Sequence, residues 1–351
     1  MTLPEATLRI IDANLDRAGE GLRLIEDIAR FILDDAVLTH ELKAMRHQLV
    51  EGDWPFQQQL LQSRNSISDV GADIKAPVDK ERELPLVVVA NARRVQESLR
   101  VLEELAKLPG NISQLDGAKF KQARFSLYTI EQRLLAGLLG QEKLKHLPGL
   151  YVIIDTPALK GRPHVEVANQ AINGGATTIQ LRDKLLSRRE LLPIAQELQD
   201  LCTARGVLFI VNDYLDVALA VDADGLHVGQ DDLPAKIARQ LLPMGKILGV
   251  SVITVEQAIA AQADGADYIA VGPVYPTPSK ETDIIVGLER LRQVRQEITV
   301  PLVAIGGITH RNAADVIAAG ALSLAVISAV AGAELPEAAA RQMLDVLKQL
   351  K

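Results

Sequence analysis

The amino-acid sequence predicts an α/β protein in which an all-α N-terminal domain precedes a C-terminal (β/α)8 barrel. Three observations lead there. A chain of 351 residues is long enough for two domains. Over the first 140 residues apolar side chains recur three and four apart, the period of an amphipathic helix. Further on, short apolar runs alternate with amphipathic stretches, the rhythm of parallel strands and their covering helices.

In the first half, this spacing predicts helices over Leu8–Leu33, Val37–Leu49, Val87–Leu108 and Ala118–Leu139. Ser63–Arg82, with Asn65, Ser66, Ser68, Gly71 and Pro77, reads as a long loop. Two of the helices resemble each other. Shifting residues 13–30 by 77 superposes Ala13, Asn14, Arg17, Glu20, Leu22, Arg23, Glu26 and Ala29 on Ala90, Asn91, Arg94, Glu97, Leu99, Arg100, Glu103 and Ala106, eight identities in eighteen positions. The repeated Asn, Arg and Glu fit either a polar pocket between related helices or a solvated face. In the second case each local ion pair is worth only a few tenths of a kcal/mol. Gly140 is a candidate helix end and Pro148-Gly149 a turn, so the domains are drawn as 1–140, a linker 141–149, and 150–351.

In the second half, strands are predicted at Leu150–Ile154, Thr177–Leu181, Leu208–Val211, Gly225–Val228, Ile247–Val250, Tyr268–Val271, Leu302–Ile305 and Leu324–Ile327. Helices between and after them include Arg189–Ala204, Pro234–Leu242, Val255–Ala263, Leu288–Ile298, Asn312–Ala319 and Pro336–Leu350. Eight βα units in about 200 residues favour a small TIM barrel over an open sheet.

Composition narrows the function. Apolar residues are 48% and charged residues 24%, whereas aromatics are 3%, so the core is aliphatic. A net charge of −7 argues against nucleic-acid binding. No apolar run approaches a membrane span, and the N-terminus lacks a signal-peptide core, so a cytoplasmic protein without a membrane partner is expected. A homo-oligomer is compatible with the sequence. The single cysteine, Cys202, fits a reducing compartment. It reads as a buried helix residue beside Leu198 and Leu201 rather than a nucleophile.

A barrel of this kind does chemistry at the C-terminal ends of its strands. After strand two, alternation points Gln180, Arg182 and Lys184 one way, two cations suited to a phosphate or a basic strand end in water. Asn212-Asp213 follows strand three and Gly229-Gln230-Asp231-Asp232 strand four. Their carboxylates fit Mg²⁺ ligation or helix capping. Ser251 follows strand five. The segment Gly272-Pro273-Val274-Tyr275-Pro276-Thr277-Pro278-Ser279-Lys280 after strand six can cover the barrel mouth. Gly306-Gly307-Ile308 after strand seven and Ile327-Ser328 after strand eight suit a phosphate held by backbone N–H groups, while the glycines also fit a tight turn with unusual dihedrals.

These motifs, QLRDK at 180–184, ND at 212–213, GLHVGQDD at 225–232, GVS at 249–251, VGPVYPTPSK at 271–280, AIGGI at 304–308 and VIS at 326–328, resemble the thiamine-phosphate synthase family in family order. The resemblance covers residues 150–350. It implies condensation of an aminopyrimidine diphosphate with a thiazole phosphate, or its carboxylated form, to thiamine phosphate and pyrophosphate, with Mg²⁺ as cofactor. It implies that Gln180, Leu181, Arg182, Asp183, Lys184, Asn212, Ser251, Thr277, Pro278, Ser279, Lys280, Gly307, Ile327 and Ser328 meet the two substrates. Among these Arg182, Lys184, Ser251 and Lys280 would be catalytic, and Asp213 and Asp232 would hold Mg²⁺. Ile253 and Leu324 depart from the family pattern without removing an anion or metal ligand. The first half resembles the helical extension of some bacterial members, notably cyanobacterial ones, and is expected to aid folding, assembly or regulation.

Three other readings compete. A thiazole tautomerase needs a positioned acid or base, and His227, mid-strand, reads as a satisfied core residue. A Schiff-base aldolase would use Lys184 or Lys280. A phosphate-ligand sensor would use the helical half as its output.

Overall fold

The computed structural model describes residues 3–50, 54–64, 83–108, 115–277 and 284–349. It divides into two compact units, Met1–Leu139 and Gly140–Lys351. The predicted loop Ser63–Arg82 lies, from residue 65 to 82, outside the described residues.

The first unit is built from α1 (Glu5–Phe31), α2 (Ala36–Val50), α3 (Trp54–Ser63), α4 (Leu84–Leu105) and most of α5 (Gly117–Leu144). Helix α3 was not anticipated: its run WPFQQQLLQS has too few apolar positions for a clear period, and it is held by burial of Phe56 and Leu60. Packing reproduces the internal repeat. Ile11, Leu22, Ile25 and Glu26 of α1 are buried, as are Val88, Leu99, Leu102 and Glu103, 77 residues on, in α4. Each buried glutamate meets an arginine of the next helix: Glu26 pairs with Arg46 of α2 at 2.8 Å and Glu103 with Arg124 of α5 at 2.9 Å. Helices α1 and α4 approach closely at Gly21, where a Cβ would lie 2.6 Å from Val95 Cγ2.

Gly140, expected to end a helix, instead lies inside α5. A glycine costs a helix only about 1 kcal/mol relative to alanine. The extra turn is held by Leu144, which packs with buried Leu147 against the inward residues of the barrel.

The second unit is a closed barrel of eight parallel strands in sequential order. Its elements are β1 (Gly149–Asp155), α6 (Thr156–Leu159), α7 (His164–Asn173), β2 (Ala176–Arg182), α8 (Arg188–Arg205), β3 (Leu208–Asn212), α9 (Leu215–Ala220), β4 (Gly225–Val228), α10 (Ala235–Leu241), β5 (Ile247–Val252), α11 (Val255–Ala263), β6 (Tyr268–Val271), α12 (Gly287–Glu297), β7 (Leu302–Ile305), α13 (Ala313–Ala318), β8 (Ser323–Val326) and α14 (Pro336–Gln349). The ring closes where β1 pairs with β8, Gly149 opposite Ser323. Strand alternation makes two cores: Leu150, Val152 and Ile154 pack outward against helices, while Tyr151 and Ile153 point inward with Ile210, Tyr268 and Val303. Cys202 lies on the buried face of α8, and this burial pushes its thiol up to about 12 and leaves it inert.

Candidate active site

A cavity of about 690 Å³ opens where the strands end, with Tyr151, Ile153, Val303 and Ala325 of the barrel interior among its lining residues. Gln180, Arg182 and Lys184 all line it, the first two by the two-residue alternation of β2 and Lys184 from the loop that follows. Gln180 donates from Nε2 to Tyr151 Oη at 2.8 Å. Arg182 donates from Nη1 to Asp155 Oδ1, the residue directly across the β1–β2 register. Asp155 is buried and was not among the expected site residues. Its signal in the sequence is an acid closing the apolar run of strand one, at the rim where such barrels place function.

Leu181 and Asp183, the intervening members of the same motif, face elsewhere. Leu181 belongs to the core between sheet and helices. Asp183 is buried and accepts from Leu185 N at 2.7 Å and from Thr156 Oγ1, so its carboxylate ties the loop after β2 to the start of α6. Neither residue is among those that line the cavity. For Leu181 the cause is the same alternation that turns Gln180 and Arg182 inward.

Asn212 ends β3 and lines the cavity. Asp213 follows in a left-handed conformation, φ 62°, with its N–H on His227 O at 2.8 Å. A non-glycine residue there stores strain of the kind found at functional sites. Its carboxylate lies 3.4 Å from Lys184 Nζ. Burial first, and then neighbouring Asp232, pushes the Asp213 carboxyl up to about 6 against the opposing pull of Lys184. Asp232 accepts from Gly229 N at 2.8 Å, closing the loop after β4. Neither α9 nor α10 has a side-chain cap; their N-caps are Tyr214 and Pro234. The capping alternative for these aspartates therefore falls away.

Ser251 of β5 lines the cavity, and its Oγ is 2.8 Å from His227 Nε2. His227 also meets Tyr268 Oη through Nδ1 at 3.0 Å, so it is a satisfied side chain. Burial lowers its pKa to about 4. It is neutral at neutral pH and poorly suited as a proton donor.

The loops after β6 and β7 pack on each other: Val274 N donates to Ile305 O at 2.9 Å and Tyr275 N to Gly306 O at 3.0 Å. Gly306 and Gly307 have φ 96° and 65°, and a Cβ on Gly307 would sit 2.6 Å from Pro276 O. The unusual-dihedral reading of the pair is thus correct, and both glycines also line the cavity with Thr277, Ile327 and Ser328. Pro278, Ser279 and Lys280 lie outside the described residues.

In the first unit, Asn14, Arg17 and Glu20 line a second hollow with Arg94, Glu97 and Ser98. The arginines and these glutamates are exposed. The paired asparagines turn back on their own helices, Asn14 Nδ2 to Ile10 O and Asn91 Nδ2 to Val87 O, both at 2.8 Å. Both sequence readings of the repeat hold here in part: the polar residues share a hollow, and its charges are solvated.

A (β/α)8 barrel whose rim cavity combines two cations, two adjoining carboxylates and a glycine-rich loop is the architecture of an enzyme acting on phosphorylated small molecules. A family profile described as Thiamine monophosphate synthase matches residues 150–330, and one described as ThiD2 family matches residues 9–133. The chain belongs to the thiamine-phosphate synthase family. It is 41% identical over 349 residues to the thiamine-phosphate synthase of Nostoc punctiforme, covering 99% of this chain and 96% of that one. It is 40% identical over 342 residues to that of Thermosynechococcus vestitus, covering 97% and 95%. A solved thiamine phosphate pyrophosphorylase from Pyrococcus furiosus shares 40% identity at a TM-score of 0.55, over 59% of this chain and 98% of that one. No helix among the described residues is long and apolar enough to cross a membrane.

Proposed function

We propose that this chain joins 4-amino-2-methyl-5-(diphosphooxymethyl)pyrimidine to 4-methyl-5-(2-phosphoethyl)thiazole, releasing thiamine phosphate and pyrophosphate in the cytoplasm. The observation that carries this reading is the convergence of Arg182, Lys184, Asp213, Asp232 and Gly307 on one cavity.

Gln180, Arg182, Lys184 and Asn212 hold the pyrimidine diphosphate, with Ser251 on the pyrimidine ring. Thr277 and Ser279 hold the thiazole phosphate together with Gly307, Ile327 and Ser328. Lys280 takes the departing diphosphate; its support is the family motif alone. Asp213 and Asp232 are the residues for Mg²⁺. The fit rests on their chemistry: burial and then the neighbouring Asp232 raise the cost of the Asp213 charge, which a cation between the two carboxylates would lower. Two carboxylates, completed by substrate phosphates and water, are a common Mg²⁺ donor set. The ion would neutralise charge on the diphosphate.

The carbon–oxygen bond to the diphosphate breaks first, its electron pair leaving on oxygen. Arg182, fixed by Asp155, and Lys184 stabilise that charge. The electron-rich aminopyrimidine carries the resulting methylene cation until the thiazole nitrogen attacks and the carbon–nitrogen bond forms. No strong base is needed, in keeping with a site whose histidine is neutral. Positioning of the two rings supplies the rest of the catalysis.

The test is an assay of the purified full chain with both phosphorylated rings. Thiamine phosphate and pyrophosphate should appear in equal amounts, only with both rings and Mg²⁺ present. No product under those conditions rejects the proposal.

A further inference from the structure

Five side chains form a continuous hydrogen-bonded chain across the barrel. Gln180 Nε2 donates to Tyr151 Oη at 2.8 Å, and Tyr151 Oη lies 3.0 Å from Tyr268 Oη. Tyr268 Oη lies 3.0 Å from His227 Nδ1, and His227 Nε2 lies 2.8 Å from Ser251 Oγ. The chain links β2, β1, β6, β4 and β5, and both its ends line the cavity. Its tyrosines are fully buried.

The chain has a sense because each phenol and the neutral imidazole carry one exchangeable proton. With the Gln180 amide donating to Tyr151, the Tyr151 proton goes to Tyr268 and the Tyr268 proton to His227 Nδ1. The imidazole proton must then sit on Nε2 and point at Ser251 Oγ. On the ligand side this leaves Gln180 Oε1 as an acceptor and the Ser251 hydroxyl proton as a donor, besides the second Gln180 amide hydrogen. Burial pushes both phenols above their ordinary pKa, so neither ionises at neutral pH. The backbone is shaped around the junction. A Cβ on Gly249, in the middle of β5, would fall on the Tyr268 hydroxyl and 2.5 Å from His227 Nδ1. A glycine inside a strand marks such a close approach.

We propose that Tyr151, Tyr268 and His227 are positioning residues that lock the hydrogen-bonding sense of Gln180 and Ser251, so that the cavity offers one acceptor and one donor to the amino and ring-nitrogen edge of an aminopyrimidine. This rests on the substrate reading above. That edge presents an N–H donor beside a nitrogen acceptor, the complement of the Gln180 acceptor and the Ser251 donor. A bond lost at the middle of the chain is felt at both ends because each proton position fixes the next.

The experiment has two readouts on the full-length protein. In the first, ¹⁵N NMR of histidine-labelled protein at pH 7, with the His227 signal assigned by its loss in His227→Gln, should show Nε2 protonated and Nδ1 bare. Tyr268→Phe and Tyr151→Phe should each abolish that fixed tautomer, the first by removing the donor to Nδ1 and the second by removing the proton that sets the sense of Tyr268. In the second, both variants should raise KM for the pyrimidine diphosphate about tenfold, the effect of one lost buried hydrogen bond, with KM for the thiazole phosphate unchanged. A wild-type His227 protonated on Nδ1 overturns the proposal. So do variants that leave the pyrimidine KM unchanged, or raise both KM values alike. If Tyr268→Phe fails to fold, the wild-type tautomer and the Tyr151→Phe kinetics decide. A wild-type protein without turnover contradicts the substrate reading, and the tautomer measurement still decides the chain.

Discussion

Lys184 Nζ stands 3.4 Å from Asp213 Oδ2, so a cation assigned to the diphosphate pairs with a carboxylate assigned to the metal. The lysine ties the loop after β2 to the loop after β3. It also opposes the burial that drives the Asp213 carboxyl upward. A diphosphate carrying a divalent cation would pair its phosphates with Lys184 and its cation with Asp213.

Lys184→Ala is therefore expected to raise KM for the pyrimidine diphosphate by about tenfold or more, the value of one charge-assisted hydrogen bond. KM for the thiazole phosphate should stay within about twofold. Steady-state kinetics with one ring varied at a time checks this, and an equal rise for both rings contradicts it.

Asp155→Asn should lower kcat/KM by about 10- to 100-fold while the chain still folds. The asparagine keeps a hydrogen-bond acceptor for Arg182 but loses the charge that holds the guanidinium in place. Circular dichroism establishes the fold and the assay gives the rate. Unchanged kcat/KM would remove Asp155 from the site.

Gly307→Ala is expected to cost about 1–3 kcal/mol of stability, because φ of 65° and a Cβ 2.6 Å from Pro276 O must both be accommodated. Shifting this turn should raise KM for the thiazole phosphate more than that for the pyrimidine. Denaturant titration and the two KM values measure it.

His227 gives a pH dependence of defined sign. Its folded pKa, about 4, lies below the ordinary value of 6.5, so the native state binds this proton less readily than the unfolded chain. Its contribution to stability is therefore present above about pH 6.5 and is lost as pH falls toward 4. At about 1.4 kcal/mol for each pKa unit, the total is on the order of 3 kcal/mol. His227→Gln does not titrate, so the stability difference between wild type and variant should shift by that amount between pH 7 and pH 4. Parallel urea titrations across this range test it, and a constant difference refutes the assignment.

The barrel was legible because its signal is local: each buried strand writes an apolar run and each covering helix a period of three and four. The rim was legible for Gln180, Arg182, Lys184, Asn212, Asp213 and Asp232 because strand ends are where such barrels place function. Leu181 and Asp183, named with their motif, do not line the cavity: Leu181 packs between sheet and helices and Asp183 braces the loop after β2. Asp155 went unseen because its meaning comes from Arg182, one strand away in space and 27 residues away in sequence. The chain from Gln180 to Ser251 is further out of reach, since it needs five strands at once and no spacing along the sequence encodes it. Ile253 does line the cavity, so its departure from the family pattern touches the site, while Leu324 is buried in the core between sheet and helices.

The central claim is that Asp213 and Asp232 share one divalent cation with a diphosphate in this cavity. The most direct test is electron paramagnetic resonance of Mn²⁺ added with pyrophosphate to the full-length protein. The account predicts one bound Mn²⁺ per chain with a resolved ³¹P coupling. It predicts that Asp213→Ala and Asp232→Ala each weaken that binding by on the order of 10- to 100-fold. Equally tight Mn²⁺ binding in wild type and both variants, or bound Mn²⁺ with no ³¹P coupling, would contradict it.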